Sequence, residues 1–242
     1  MKPLLPILAS LAIAISPQAQ PVPAQSTAAQ PDLASDPVAF QLTTLRDAFA
    51  AKLSAAGVAC PIPPPKLILQ NVKSWGNYDS QANTLTTPLW QQLSPQEQSS
   101  FYRIAGPNPT REDERREFES GIHHWVFIHE LSHWAQICLH QYEDRMPYDL
   151  EYGANRIALA YWREADNKLL NHILEHFEDI QKFETTPLPQ GQDVEEYFNT
   201  NYDKLAPTPA YAWFQSQMIT DLAEKRPKPT FKESLQLAVY QP

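Results

Sequence analysis

Glycine is scarce in this 242-residue chain, which holds 6 Gly against 23 Pro. So few flexible points exclude a glycine-rich linker architecture and favour defined helices joined by proline corners. Basic residues are outnumbered, 19 against 28 acidic, for a net charge of -9. That deficit argues against nucleic acid as a partner, because such binders carry a basic footprint. Only two cysteines occur, Cys60 and Cys138, and neither has a C-x-x-C partner, so a cysteine zinc site is not expected. A single disulfide in an oxidising compartment and two buried free thiols are both open, since sequence gives no distance between them. No segment after the N-terminus is apolar enough to span a membrane.

The N-terminus reads as a secretory signal over residues 1–24. Lys2 is a minimal basic start, Leu4 to Ile15 is a short apolar stretch, and Val22-Pro23-Ala24 offers small residues for cleavage. A secreted or periplasmic location follows, with no stable membrane insertion after cleavage; an uncleaved anchor is the minor alternative. Residues 25–36 read as a flexible leader, a linker rather than a latency segment because it lacks a Cys switch.

From residue 37 the patterns define elements. Asp36-Pro37 is a cap with proline in the first turn; Leu42, Leu45, Phe49 and Leu53 form a helical stripe, and Gly57 stops it. Lys66 to Gln70 predicts a strand. Trp75 to Asp79 and Thr84 to Thr87 predict a hairpin across Ser80-Gln81-Ala82-Asn83. Ser94-Pro95-Gln96-Glu97 is a capping box. Thr110 opens a central helix running to about Gln141, bent at Gly121. Further helices are expected from Pro147 to Glu164, from Ala165 to Phe183, and beyond Asp193. The expected fold is α+β and mostly helical. A small sheet with a hairpin packs on the central helix and the helix that follows it, and a helical subdomain begins near residue 165.

The chemistry concentrates in His129-Glu130-Leu131-Ser132-His133, an H-E-x-x-H motif. Residues four apart on a helix share a face, so two imidazoles can grip one metal while Glu130 reaches an adjacent water. On a wheel of about 100° per residue, Ile122, Val126 and Ile137 flank the same side. Polar groups on such an apolar surface need partners, and a metal supplies one. A catalytic zinc needs a third ligand. Glu151 is the best candidate, on the next helix with seventeen residues between it and His133. Gly153 and Ala154 are small enough for close helix approach, and Asn155, one turn beyond Glu151, can orient an imidazole.

HELSH at 129–133 with EYGAN at 151–155 resembles the gluzincin metallopeptidases. The E-x-x-A-N form is also similar to cytoplasmic bacterial metallopeptidases that cleave repressor proteins. The resemblance covers about residues 121–160. It implies a zincin-like fold, one Zn2+ per chain held by His129, His133 and Glu151, Glu130 as general base, and a peptide or protein substrate. Asn155 stands where many members have Asp, which implies a weaker hydrogen bond to the ligand.

Other ligand schemes fit less well. The metzincin form needs Gly and His where Gln136 and Leu139 stand, and His140 lies about 10 Å up the helix from His133. Glu143 is a weaker third ligand. His123 and His124 read as interface or surface residues. His172 and His176 read as a solvated face, without the base and third ligand of the first pair. Thr84 to Thr87 is either a cleft edge strand that pairs with substrate or an ordinary edge strand. Tyr202, Tyr211 and Arg156 are candidate oxyanion donors, although Tyr211-Ala212-Trp213-Phe214 reads first as core packing. Three rival readings stand beside peptide hydrolysis: a zinc hydrolase of non-peptide amides, a catalytically silent zinc-stabilised binding protein, and an exported helical scaffold that carries the motif by chance. Oligomeric state is not legible.

Overall fold

The first helix starts where its cap dictates. Asp36 Oδ1 accepts from the backbone N–H of Val38 at 2.8 Å and of Ala39 at 3.3 Å, which satisfies two donors that have no partner inside the helix. Helix α1 (Pro37–Ala55) follows, and Gly57 turns the chain at φ 94°. The computed structural model describes residues 36–72, 74–142, 145–183, 185–205 and 209–237. The expected signal peptide, and the expected leader up to residue 35, lie outside these residues.

Strands β1 (Lys66–Leu69), β2 (Asn77–Asp79) and β3 (Thr84–Thr87) form a mixed sheet in the order β1-β3-β2. The hairpin is present: β2 and β3 are antiparallel with Tyr78 opposite Leu85, and Asn83 supplies a left-handed turn residue at φ 50°. The expectation that Thr84 to Thr87 lies at an edge is corrected. β3 is central, because the chain crosses over to pair β1 parallel to its other side. The strand at the edge towards the H-E-x-x-H helix is β2.

Helix α2 (Pro95–Ser99) opens on the expected capping box, with Ser94 N–H donating to Glu97 Oε2 at 2.7 Å and Glu97 N–H to Ser94 Oγ at 3.3 Å. The expected central helix is a rod in three parts. These are α3 (Arg111–Phe118), a π-helical segment Glu119–Val126 that contains Gly121, and α4 (Phe127–Cys138). A π segment has wider turns than an α-helix, so phase is not carried through it at 100° per residue. Ile122 therefore leaves the metal face and packs with Leu93, Phe101 and Phe118.

Helices α5 (Pro147–Ala165), α6 (Asn167–Phe183), α7 (Val194–Leu205), α8 (Pro209–Glu224) and α9 (Phe231–Leu237) complete the described chain, which is mostly helical with a small mixed sheet. The main core gathers α1, α4, α5 and α9 around Phe49, which lies 5.3 Å from Tyr161, 5.6 Å from Phe231 and 6.4 Å from Trp134 between ring centres. The helices after residue 165 divide between two interiors. Leu170, Ile173 and Phe231 join the main core, while Phe198, Leu205, Phe214 and Met218 pack together against Tyr148 and Tyr152 of α5. Cys60 and Cys138 are disulfide-bonded, with Cα atoms 4.8 Å apart, so the end of α4 is fastened to the proline corner after α1.

Candidate metal centre

Helices α4 and α5 pack side by side and bring His129, His133 and Glu151 together in the buried interior. Glu151 Oε2 lies 3.0 Å from His129 Nε2 and 3.6 Å from His133 Nε2, and the two Nε2 atoms are 3.2 Å apart. All three ligands named from the sequence thus converge.

The protonation of the imidazoles follows from their outer neighbours. Gln136 Nε2 donates to the Leu150 carbonyl at 2.9 Å, which can only accept, so Gln136 Oε1 faces His133 Nδ1 at 2.8 Å as an acceptor. On the other side Gln215 Nε2 donates to Glu151 Oε2 at 2.9 Å, Asn155 Nδ2 donates to Gln215 Oε1 at 2.6 Å, and Asn155 Oδ1 accepts from His129 Nδ1 at 2.8 Å. Each ring therefore spends its Nδ1–H outward and points an Nε2 lone pair inward. Two lone pairs and a carboxylate oxygen then face one another in a buried space. That arrangement is repulsive unless a proton or a cation sits among them.

A cation fits. Tetrahedral bonds of about 2.0–2.1 Å place neighbouring donor atoms about 3.3 Å apart, and the three separations scatter around that value. A proton is the alternative occupant. Burial by itself would lower the His133 pKa, but the Glu151 charge and hydrogen bond outweigh it and raise it to about 9. Burial would raise the Glu151 carboxyl, yet the two histidines hold it well below its ordinary range. Tyr202 O–H completes the carboxylate by donating to Glu151 Oε1 at 2.9 Å.

Glu130 stands beside this group on the sheet side. Its Oε2 accepts from Tyr78 N–H of β2 at 2.8 Å, so the free edge of the sheet fixes the carboxylate. Gly76 makes that approach possible. A Cβ there would fall 2.4 Å from Val126 Cγ1 and 3.3 Å from Glu130 Cγ.

Asn155 takes the orienting position expected of it. Tyr202 reaches the site, and Tyr211 is close enough for burial and the Glu151 charge to raise its pKa well above normal. Burial and the same charge also raise Tyr202, so both phenols remain O–H donors. Arg156 does not reach it. Five residues past Glu151 is about 140° around a helix, and its guanidinium donates instead to the Leu237 carbonyl at 2.6 Å. His123 is not a surface residue, being buried and donating through Nε2 to the Pro88 carbonyl at 2.8 Å, while His124 is half-buried with its ring 5.6 Å from Trp162. Glu143 lies outside the described residues. The solvated reading of His172 and His176 is also corrected, because Glu117 of α3 meets both rings.

Sequence reasoning missed Gln136, Gln215, Gly76 and the Tyr78 amide. Gln136 had a signal, since it lies three residues after His133 on the same helix. Gln215 had none, being separated from Glu151 by an entire helical hairpin. Comparison with known protein families, with curated proteins and with solved structures found no match for this chain.

Proposed function

We propose that the chain is an exported zinc-dependent metallopeptidase of gluzincin type with a zincin-like fold. The observation that carries this reading is the pair of inward Nε2 lone pairs facing Glu151, with Glu130 held beside them by the Tyr78 amide. A structural metal site has no need of that second, separately positioned carboxylate. Imidazole and carboxylate donors in near-tetrahedral disposition favour Zn2+.

His129, His133 and Glu151 would hold the ion. Zinc in this position supplies Lewis acidity, polarising a carbonyl and making a neighbouring water more acidic. The rest falls to the chain. Glu130 takes the proton of the attacking water and passes it to the leaving amine as the carbon–nitrogen bond breaks. The Tyr78 hydrogen bond keeps its carboxylate pointed inward between these transfers. Tyr202 and Tyr211 are the neutral O–H donors at the site; Tyr202 donates to Glu151 Oε1 and would have to turn from it to stabilise the oxyanion, while Arg156, held at α9, does not reach the site.

A peptide or protein is the proposed substrate. The disulfide supports an oxidising compartment outside the cytoplasm, as does the N-terminal signal pattern. Among the described residues no helix is long and apolar enough to cross a membrane.

The test is Glu130→Gln in the mature chain. The variant should retain one zinc and lose cleavage of a proteome-derived peptide library by about a hundredfold or more. Undiminished cleavage would remove Glu130 from the role, and an inactive parent with full zinc would remove the peptidase reading.

A further inference from the structure

A second group of metal-type donors lies away from this centre and shares no residue with it. Helix α6 presents His172 and His176, one turn apart, to Glu117 at the end of α3. Glu117 Oε2 is 2.9 Å from His172 Nε2 and also touches His176 Nε2. The three donor atoms all lie within 4.8 Å of one another. The donor set, two histidines at i and i+4 with a glutamate from another helix, is the same as at the first centre.

An ordinary ion pair accounts for this group poorly. One carboxylate balances one imidazolium, yet two imidazoles aim at the same oxygen. Glu117 and His176 are both buried, where a charge without a full set of partners is costly. His176 Nε2 is wholly enclosed and finds no well-aligned hydrogen bond despite touching the carboxylate. His172 has 39% of its side chain exposed, which leaves the group open to solvent on one side. A divalent cation satisfies both rings and the carboxylate at once, and solvent can complete its coordination from the open side.

We propose that Glu117, His172 and His176 bind a second divalent transition metal ion, of the Zn2+ class, which ties α6 to the start of the rod that carries the first centre. The sequence feature behind it, His172-Ile173-Leu174-Glu175-His176, places both rings on one helix face, while Glu175 between them is exposed. The third ligand was invisible in the sequence because it comes from a helix more than fifty residues earlier.

The test is Zn2+ titration of the chelator-stripped full-length protein by calorimetry, with bound metal counted by mass spectrometry. The parent should bind two equivalents. His172→Ala should bind one, and His133→Ala should also bind one, that one being lost when His172→Ala is added. His172→Gln serves the same comparison if the alanine variant fails to fold by circular dichroism. Parent zinc that His172 substitution leaves unchanged, at one equivalent or at two, would overturn the second site, as would a parent that binds none. Zinc lost in the His172 variants but untouched in His133→Ala would uphold this site and defeat the reading of the first.

Discussion

Among single residues, Glu130 and Gly76 separate chemistry from metal binding. Gly76→Ala places a methyl against Val126 and the Glu130 stem, so the carboxylate must shift while the three ligands stay. Zinc content should be unchanged and kcat should fall by roughly 100-fold, as expected for a reacting group displaced by about an ångström; activity assays alongside metal analysis would check this. Asn155→Ala and Gln136→Ala act in the opposite sense. Each frees an imidazole to rotate and should weaken zinc by about 10–100-fold, measured by competition with a chelator. His129 and His133 were legible because helix periodicity puts them on one face, and Glu130 and Glu151 through the H-E-x-x-H pattern and the glutamate pattern on the next helix. Asn155 was legible for the same reason. Gln215 was not, since a side chain delivered from α8 depends on tertiary packing that no local pattern encodes.

The elements were largely written in caps and corners: Asp36, Ser94, Thr110 and Pro147 each open the helix expected of them. The crossover that makes β3 central was not legible, because a strand of four residues carries the same pattern at an edge or in the middle. Nor was the π segment, whose residues read as a continuous helix. That segment buries His123 and half-buries His124, and burial lowers the pKa of both. The unfolded chain titrates these groups near about 6.5 and takes up protons that the folded chain refuses. Their contribution is therefore complete above that pH and is lost as pH falls below it towards the depressed folded values. Stability should decline with a slope of up to about 1.4 kcal/mol per pH unit for each histidine across that window. Because His133, with its pKa raised to about 9, pulls the other way across this window, the measurement is the difference between parent and His123→Gln in urea melts of the metal-free chain at pH 7 and 5.5, where the variant should lose less stability, or gain more, on acidification.

For the molecule as a whole, the disulfide fastens the end of α4, and the proposed metal would add a second clamp between α4 and α5. The disulfide closes a loop of 78 residues and should contribute about 4 kcal/mol through the unfolded chain. Cys60→Ser with Cys138→Ser should lower the thermal midpoint markedly while the ligand residues remain in register, seen as retained zinc below the transition. On the proposed reading zinc would bind only the folded arrangement, so it should add about 2.7 kcal/mol at a hundredfold excess over its Kd, and a chelator should remove that increment. The whole-molecule reading of an α+β, helix-rich chain was legible because hydrophobic periods and proline corners are dense. The division of the C-terminal side chains between two interiors was not, since α8 serves both, sending Ile219 and Leu222 to the main core and Phe214 and Met218 to the second. The most direct measurement is anomalous diffraction at the zinc edge from crystals of the mature protein. A peak enclosed by His129 Nε2, His133 Nε2 and a Glu151 oxygen is expected, and its disappearance in Glu151→Ala crystals. A pocket with no anomalous density in crystals grown with zinc would contradict the claim on which the function rests.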